Sequence, residues 1–190
     1  LDQSYVLAWA DEFDGARLDE AAWDCRTDSK HWSTQQPANA SVHGGYLWFT
    51  LRMQRVGDKE YTGAGVITKR LFRYGYYEAR FKVPPTKGWH TSFWMMKHDG
   101  SGGTNPQVSV QELDVCENDS ITLKGYGANT HRWLPTHQGV GSKHVTTPDL
   151  STDFHVWGCE FRPEKVIYYF DGKEILAVDA LKLGAHSDQH

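Results

Sequence analysis

The sequence predicts an all-β chain, a sandwich or jelly roll of short antiparallel strands, on three observations. Residues 75–83 alternate cleanly, with Tyr77, Ala79, Phe81 and Val83 on one face and Tyr76, Glu78, Arg80 and Lys82 on the other. Asp171-Gly172 sits between two strand-like runs, 165–170 and 174–178, which signals a two-residue hairpin. No pattern of helical period lasts long enough for a βαβ unit, and short strand-like runs recur between Gly and Pro turns. At 190 residues the chain is read as one domain, 1–190, large enough for a proper core.

The elements follow in order. Residues 1–30 are acidic: Asp2, Asp11, Glu12, Asp14, Asp19, Glu20, Asp24 and Asp28 meet only Arg17, Arg26 and Lys30. They read as a polar segment with a short helical turn at 19–23. The oxygens form a solvated face or, alternatively, a structural calcium site. His43-Gly44-Gly45 is a turn, and 46–53 alternates with Leu47, Phe49, Leu51 and Met53 on one face. Gly57-Asp58 turns again, and 64–70 and 75–83 are strands, the latter stopped by Pro84-Pro85. Residues 91–97 form a short apolar strand, and 100–106 a Gly/Ser-rich loop. Residues 154–162, 165–170 and 174–178 are strands, and 183–190 is loop-like. A closed sandwich wants at least one more strand after the hairpin, so the sequence is expected to lack its C-terminal strand or strands.

The chemistry concentrates in residues 111–118, QELDVCEN. Val108 and Val110 before it, and Ile121 and Leu123 after it, mark a strand. Side chains two apart share a face, so Glu112 and Asp114 point the same way. Glu117 would face the opposite way in a regular strand. A bulge around Val115 and Cys116 returns it to the side of the other two. Three acids on one face suit a catalytic cleft, a solvated strand face or a metal site, and spacing alone does not choose among them.

A net charge of −4 argues against nucleic acid as a partner. No apolar run approaches the ~20 residues of a membrane helix. The three cysteines, Cys25, Cys116 and Cys159, form no zinc pattern and no fully paired framework. Cys116 reads as a small buried filler, and a single bridge such as Cys25 to Cys159 stays open. With 8 Trp, the chain has rings both for a core and for stacking on sugars. The expected location is secreted, periplasmic or cell-surface, and the expected state a monomer.

Five segments, in order, resemble glycoside hydrolase family 16. WADEFDG with Leu18-Asp19 and Trp23 is similar to the family's opening. YTGAGVITKRLFRYGYYEARFKVP resembles its strand pair ending in Tyr-Gly-x-x-Glu-Ala-Arg, and SFWMM its Ala-Phe-Trp strand. ELDVCE fits the bulged active-site motif E-x-D-x-x-E, and FHVWGCEFRPEKVIYYFDGKEI resembles the later hairpin. The resemblance implies a concanavalin-like β-jelly roll of two antiparallel sheets with a cleft across the concave one. It also implies an endo-acting, retaining β-glycosidase that requires no cofactor. By position, Glu112 would be the nucleophile, Asp114 the assisting carboxylate and Glu117 the acid/base. The extra residue, Cys116, argues against the unbulged licheninases and xyloglucan transglycosylases.

Retention needs the two carboxyls roughly 5–5.5 Å apart. Across the bulge the Cα atoms of Glu112 and Glu117 would be about 13 Å apart, at about 3.3 Å per residue, and inward-leaning side chains can close the gap. Glu112 must be ionised to attack, and Glu117 must carry a proton for the leaving oxygen. Trp94 is expected beside the acids, lining the subsite of the attacked sugar. His131 and Trp133, with Asn129 and Arg132 from the same NTHRW run, are candidates for sugar contact. Trp89 and His90 are candidates at the cleft edge, although Trp89 is displaced by one residue from the family's Trp-Pro-Ala-Phe-Trp.

Between residues 86 and 144 the bases Lys87, Lys97, Lys124, Arg132 and Lys143 and the histidines His90, His98, His131, His137 and His144 face only Asp99 and Asp119 outside the motif. As a cleft rim they would favour an anionic polysaccharide. Alternatively they form a mixed solvated surface that offsets the acidic N-terminus; on the rim reading the expected substrate is a marine galactan of the agar, porphyran or carrageenan type. The alternatives are β-1,3-glucan, and a sugar-binding or cation-binding β-domain without catalysis.

Overall fold

A computed structural model of the chain describes residues 5–96 and 111–183. The expected loop 100–106, Val108 and Val110, and the tail 184–190 lie outside those residues. The described residues divide into two compact units, the first running to Leu71 and the second starting at Phe72.

The first unit holds β1 (Trp23–Cys25), β2 (Ser29–Lys30), β3 (Ser33–Gln35), β4 (Ala40–His43), β5 (Tyr46–Phe49), β6 (Tyr61–Gly63) and β7 (Val66–Thr68). β1 pairs with β7, β4 with β5, and β3 lies between β2 and β6; β3–β6 runs parallel. The expected turn at 19–23 is present, with the N–H groups of Ala22 and Trp23 donating to the Asp19 carbonyl. Asp11 accepts from the Phe13 N–H and from Trp23 Nε1. Among the described residues, no cluster of three or more His, Cys, Asp or Glu could hold a metal ion.

The strand expected over 46–53 ends at Phe49. Its partner β4 begins only at Ala40, after a 3₁₀ turn at Pro37–Asn39, so the ladder closes at Phe49 with the Thr50 N–H donating to the Asn39 carbonyl. Arg52 bridges to Thr62 instead, and Met53 is 87% exposed. The strand expected over 64–70 is confined to β7, whose length is set by the three residues of β1.

The second unit is the sandwich. Its strands are β8 (Gly75–Phe81), β9 (Thr91–Met96), β10 (Gln111–Asn118), β11 (Gly125–Arg132), β12 (Gln138–Thr146), β13 (His155–Phe161), β14 (Lys165–Phe170) and β15 (Lys173–Asp179). One sheet is ordered β12-β11-β10-β9 and the other β15-β14-β13-β8, and both are antiparallel throughout. This is the all-β jelly-roll sandwich expected from the sequence. Asp171 and Gly172 turn the β14–β15 hairpin with φ of 46° and 75°, the positive values a tight primed turn requires. β11 and β12 carry no clear strand pattern in the sequence, because Gly125, Gly127 and Asn129 in one, and Gly139 and Gly141 in the other, dilute the strand signal.

The core lies between these two sheets. Leu113, Tyr126 and Ala128 come from one side, and Trp157, Cys159, Phe161, Val166 and Tyr168 from the other, all at or near zero exposure. Trp157 stacks on Phe81 at 3.9 Å and meets the edge of Tyr126 at 6.1 Å. Truncating it would leave a cavity the two sheets cannot close. Trp157→Ala is expected to cost about 3–5 kcal/mol, read as a lower urea midpoint. All three cysteines are free, so the Cys25–Cys159 bridge is not formed; Cys116 is fully buried, as a filler would be.

Candidate active site

The acids sit on β10, and the bulge is there. Pairing with β9 runs Asp114↔Trp94 and then Cys116↔Phe93, so β10 spends one extra residue at Val115. Pairing with β11 likewise jumps from Asp114↔Asn129 to Glu117↔Gly127. Leu113, Val115 and Cys116 are fully buried on the core side, while Glu112 and Glu117 are half-buried. The extra residue lets the strand bury Val115 and Cys116 together and still present Glu117 beside Glu112 and Asp114.

Each acid receives a donor from β11 or the turn after it. Trp133 Nε1 donates to Glu112 Oε2 at 2.6 Å. His131 Nε2 lies 3.3 Å from Asp114 Oδ2. Asn129 Nδ2 donates to Glu117 Oε2 at 2.5 Å. The register explains the pattern: His131 is opposite Glu112 but reaches Asp114, and Asn129 is opposite Asp114 but reaches Glu117. Diagonal neighbours on an antiparallel face are within reach of long polar side chains. Gly127, opposite Glu117, keeps that diagonal open, since a Cβ there would lie 3.3 Å from Asn129 Nδ2.

Burial sets the charge state of the middle acid. Asp114 is 3% exposed, and desolvation pushes its carboxyl up to about 6, against the pull of the His131 hydrogen bond. That bond in turn raises the His131 pKa above its ordinary value. Both groups hold their proton more tightly folded than unfolded. The Asp114 contribution is full below pH 3.8 and is lost as pH rises through about 6; that of His131 is lost as pH rises through its raised folded value. A shift of about two units corresponds to roughly 3 kcal/mol. Asp114→Asn should therefore flatten the decline in stability between pH 4 and pH 8, gaining on the native protein as pH rises. Urea titrations at the two ends check this, and parallel pH profiles would contradict it.

Trp94 lies directly across from Asp114 on β9, half-buried on the same face. His90 Nδ1 is 2.6 Å from Asp119 Oδ1, and its Nε2 is 3.9 Å from Glu117 Oε1. Two candidates are elsewhere. Trp89 is 7% exposed within the core, its Nε1 donating to the Thr86 carbonyl. The reason is local: Ser120 Oγ accepts from the backbone N–H groups of Gly88 and Trp89, fixing the chain so that the ring points inward. Arg132 pairs with Gln111, so strand parity puts it on the side opposite Glu112, and its Nη2 donates to Gln138 Oε1. Lys143, across from the core residue Ala128, also leaves the acid face and donates to the Ile175 carbonyl. His137, named from the sequence only as part of a basic rim, stacks on Trp133 at 4.1 Å.

A family model described as "Beta-porphyranase A-D, GH16 domain" matches residues 4–186. The chain belongs to glycoside hydrolase family 16. This family 16 chain is 29% identical over 182 residues to a "Beta-glucanase" of Rhodothermus marinus, covering 88% of the chain and 63% of that protein. It is also 29% identical over 189 residues to "Beta-porphyranase E" of Zobellia galactanivorans, covering 87% of the chain and 66% of that protein. The chain thus spans a little under two thirds of both relatives. Among solved structures, an endo-1,3-beta-glucanase (laminarinase) catalytic domain from Thermotoga petrophila superposes with a TM-score of 0.79 at 25% identity, covering 94% of the chain and 78% of that domain.

Proposed function

We propose that this chain is a retaining endo-β-glycanase whose Glu112 is the nucleophile and Glu117 the acid/base. The observation that carries the reading is the bulged strand with three acids on one face, each held by its own donor. Trp133 engages Oε2 of Glu112, which leaves Oε1 to attack the anomeric carbon. Asn129 engages Oε2 of Glu117, which leaves Oε1 to carry the proton for the departing sugar. In the second step Glu117 takes a proton from water as the glycosyl ester on Glu112 is cleaved. Asp114, buried between them and bonded to His131, couples the charge states of the two. Trp94 offers its ring to the attacked sugar, and His90 lies at the leaving-group end beside Glu117.

The substrate we favour is a marine galactan bearing anionic groups. The porphyranase-type family match supports it, as do the histidines His90 and His131 around the acids. With Arg132 and Lys143 turned away, the basic side chains found beside the acids are the imidazoles of His90 and His131. β-1,3-Glucan is the second reading, favoured by the "Beta-glucanase" relative at the same 29% identity. The polymer is too large to cross a membrane, so a secreted, periplasmic or cell-surface location goes with either reading, as does action by a single copy. No described helix is long and apolar enough to cross a membrane. Reducing-sugar release from porphyran, agarose, carrageenans, laminarin and mixed-linkage glucan tests the proposal. Porphyran is expected to lead. Laminarin alone would favour the glucanase, and no release from any polymer would overturn the enzymatic reading.

A further inference from the structure

The turn joining β11 to β12 brings one unassigned side chain against both groups that hold the first two acids. His137 lies flat on Trp133, with ring centroids 4.1 Å apart and planes 23° apart. Its Nε2 is 3.2 Å from Nδ1 of His131. Trp133 is the donor to Glu112, and His131 is the partner of Asp114. Arg132 closes the base of the turn by donating to Gln138 Oε1 at 2.5 Å. We propose that His137 is a positioning residue, holding Trp133 on Glu112 by ring stacking and His131 on Asp114 by a hydrogen bond. The proposal rests on the roles given to Glu112 and Asp114 above.

The physical case has two parts. An indole N–H lies in the plane of its ring, so a tilt of Trp133 moves the donor off Glu112. Residues 135–137 are exposed, so the turn has little packing of its own to prevent that tilt, and the flat contact with His137 supplies it. The second part concerns protons. Two facing imidazole nitrogens share one hydrogen, so the state of His131 dictates the tautomer of His137. The surroundings of His131 are anionic: Glu112, Asp114 and Glu117 on β10 act on it. β9 contributes Ser92, Trp94 and Met96 opposite the acids, and β12 contributes Gly139 opposite His131, none of them charged. Imidazolium is favoured at His131, donating from Nε2 to Asp114 and from Nδ1 to Nε2 of His137. His137 then acts as the acceptor that keeps this cation oriented.

Three variants separate the contributions. His137→Phe keeps a flat ring over Trp133 but has no acceptor, so His131, followed by imidazole NMR, should titrate roughly half a unit lower or more. Its kcat on the best polymer should fall roughly 3- to 10-fold with KM within about twofold, since positioning is lost rather than binding. His137→Ala loses the stack as well, and its kcat should fall roughly 30- to 100-fold. Trp133→Phe should lose kcat while leaving the His131 titration at its native value. Native titration of His131 in both His137 variants, or a loss confined to KM, would overturn the proposal. The titration is read on the unliganded protein, so it is decided even where the glycanase assignment fails; that assignment is tested separately by Glu112→Gln.

Discussion

Glu112→Gln should abolish polysaccharide cleavage while the protein stays folded, with turnover falling roughly 10⁴-fold or more. The substitution removes little besides the reactive oxygen. The amide carbonyl can still accept from Trp133 Nε1, so the 2.6 Å contact and the strand geometry can persist. What is lost is an oxyanion able to form a glycosyl ester, and no neighbour replaces it. Asp114 is buried and bonded to His131, and Glu117 is five positions along β10 beyond the bulge. The shorter Glu112→Ala variant sharpens the test, because it leaves a space beside the anomeric carbon that a small anion can fill. With azide present, attack from that side on a β-linked substrate should yield the α-glycosyl azide, and that stereochemistry assigns the nucleophile. A β-azide from this variant, or near-native turnover by Glu112→Gln, would place the nucleophile elsewhere. Unchanged urea midpoints and retained polymer binding exclude a trivial loss of fold.

Much of the geometry of the three acids is legible in the sequence, because strand parity is strict. Glu112 and Asp114 are two apart, and the fate of Glu117 turned on one inserted residue, which the register shifts at Asp114 display. The donors were nameable but not assignable. Asn129 and His131 each serve an acid one pair along from the one they oppose, and Trp133 reaches Glu112 from beyond the end of β11; both depend on a pairing register that sequence does not state. Arg132 was misplaced for a related reason. Gly125, Gly127 and Asn129 hid the strand, and without it the parity that separates Arg132 from His131 could not be applied. Trp89 went wrong through a contact 31 residues away: the Ser120 hydroxyl holds its backbone N–H, and no local pattern encodes that. His137 was nameable only as one of several rim histidines, because turns carry no periodicity and nothing marked it as a neighbour of Trp133. The same limit applied in the first unit, where the 46–53 alternation was real but the partner strand stopped at Ala40.

Glu117→Gln should give a loss that depends on the leaving group, which distinguishes an acid/base from any other carboxylate at the site. A sugar hydroxyl leaves poorly without a proton, so polysaccharide turnover should fall roughly 10²–10⁴-fold. An aryl β-glycoside with a strongly acidic phenol needs no such help, and its first step should run at near-native speed. The second step still needs a base to deprotonate water, so the glycosyl ester on Glu112 should accumulate, seen as a burst of phenol followed by a slow steady state. Azide needs no deprotonation. It should restore steady turnover of the aryl substrate and release the β-glycosyl azide, the opposite anomer from that expected with Glu112→Ala. The pH profile should change with it, losing the limb that reports departure of the acid's proton. Asn129→Ala makes a graded companion: it removes the donor at Oε2 of Glu117 but leaves the carboxyl, so it should shift that limb rather than erase it. Equal losses by Glu117→Gln on the polymer and on the activated aryl glycoside would exclude proton donation to the leaving oxygen. Glu117 would then be a binding group, and the proton would have to come from the buried Asp114 or from His90, whose Nε2 is 3.9 Å from Glu117 Oε1.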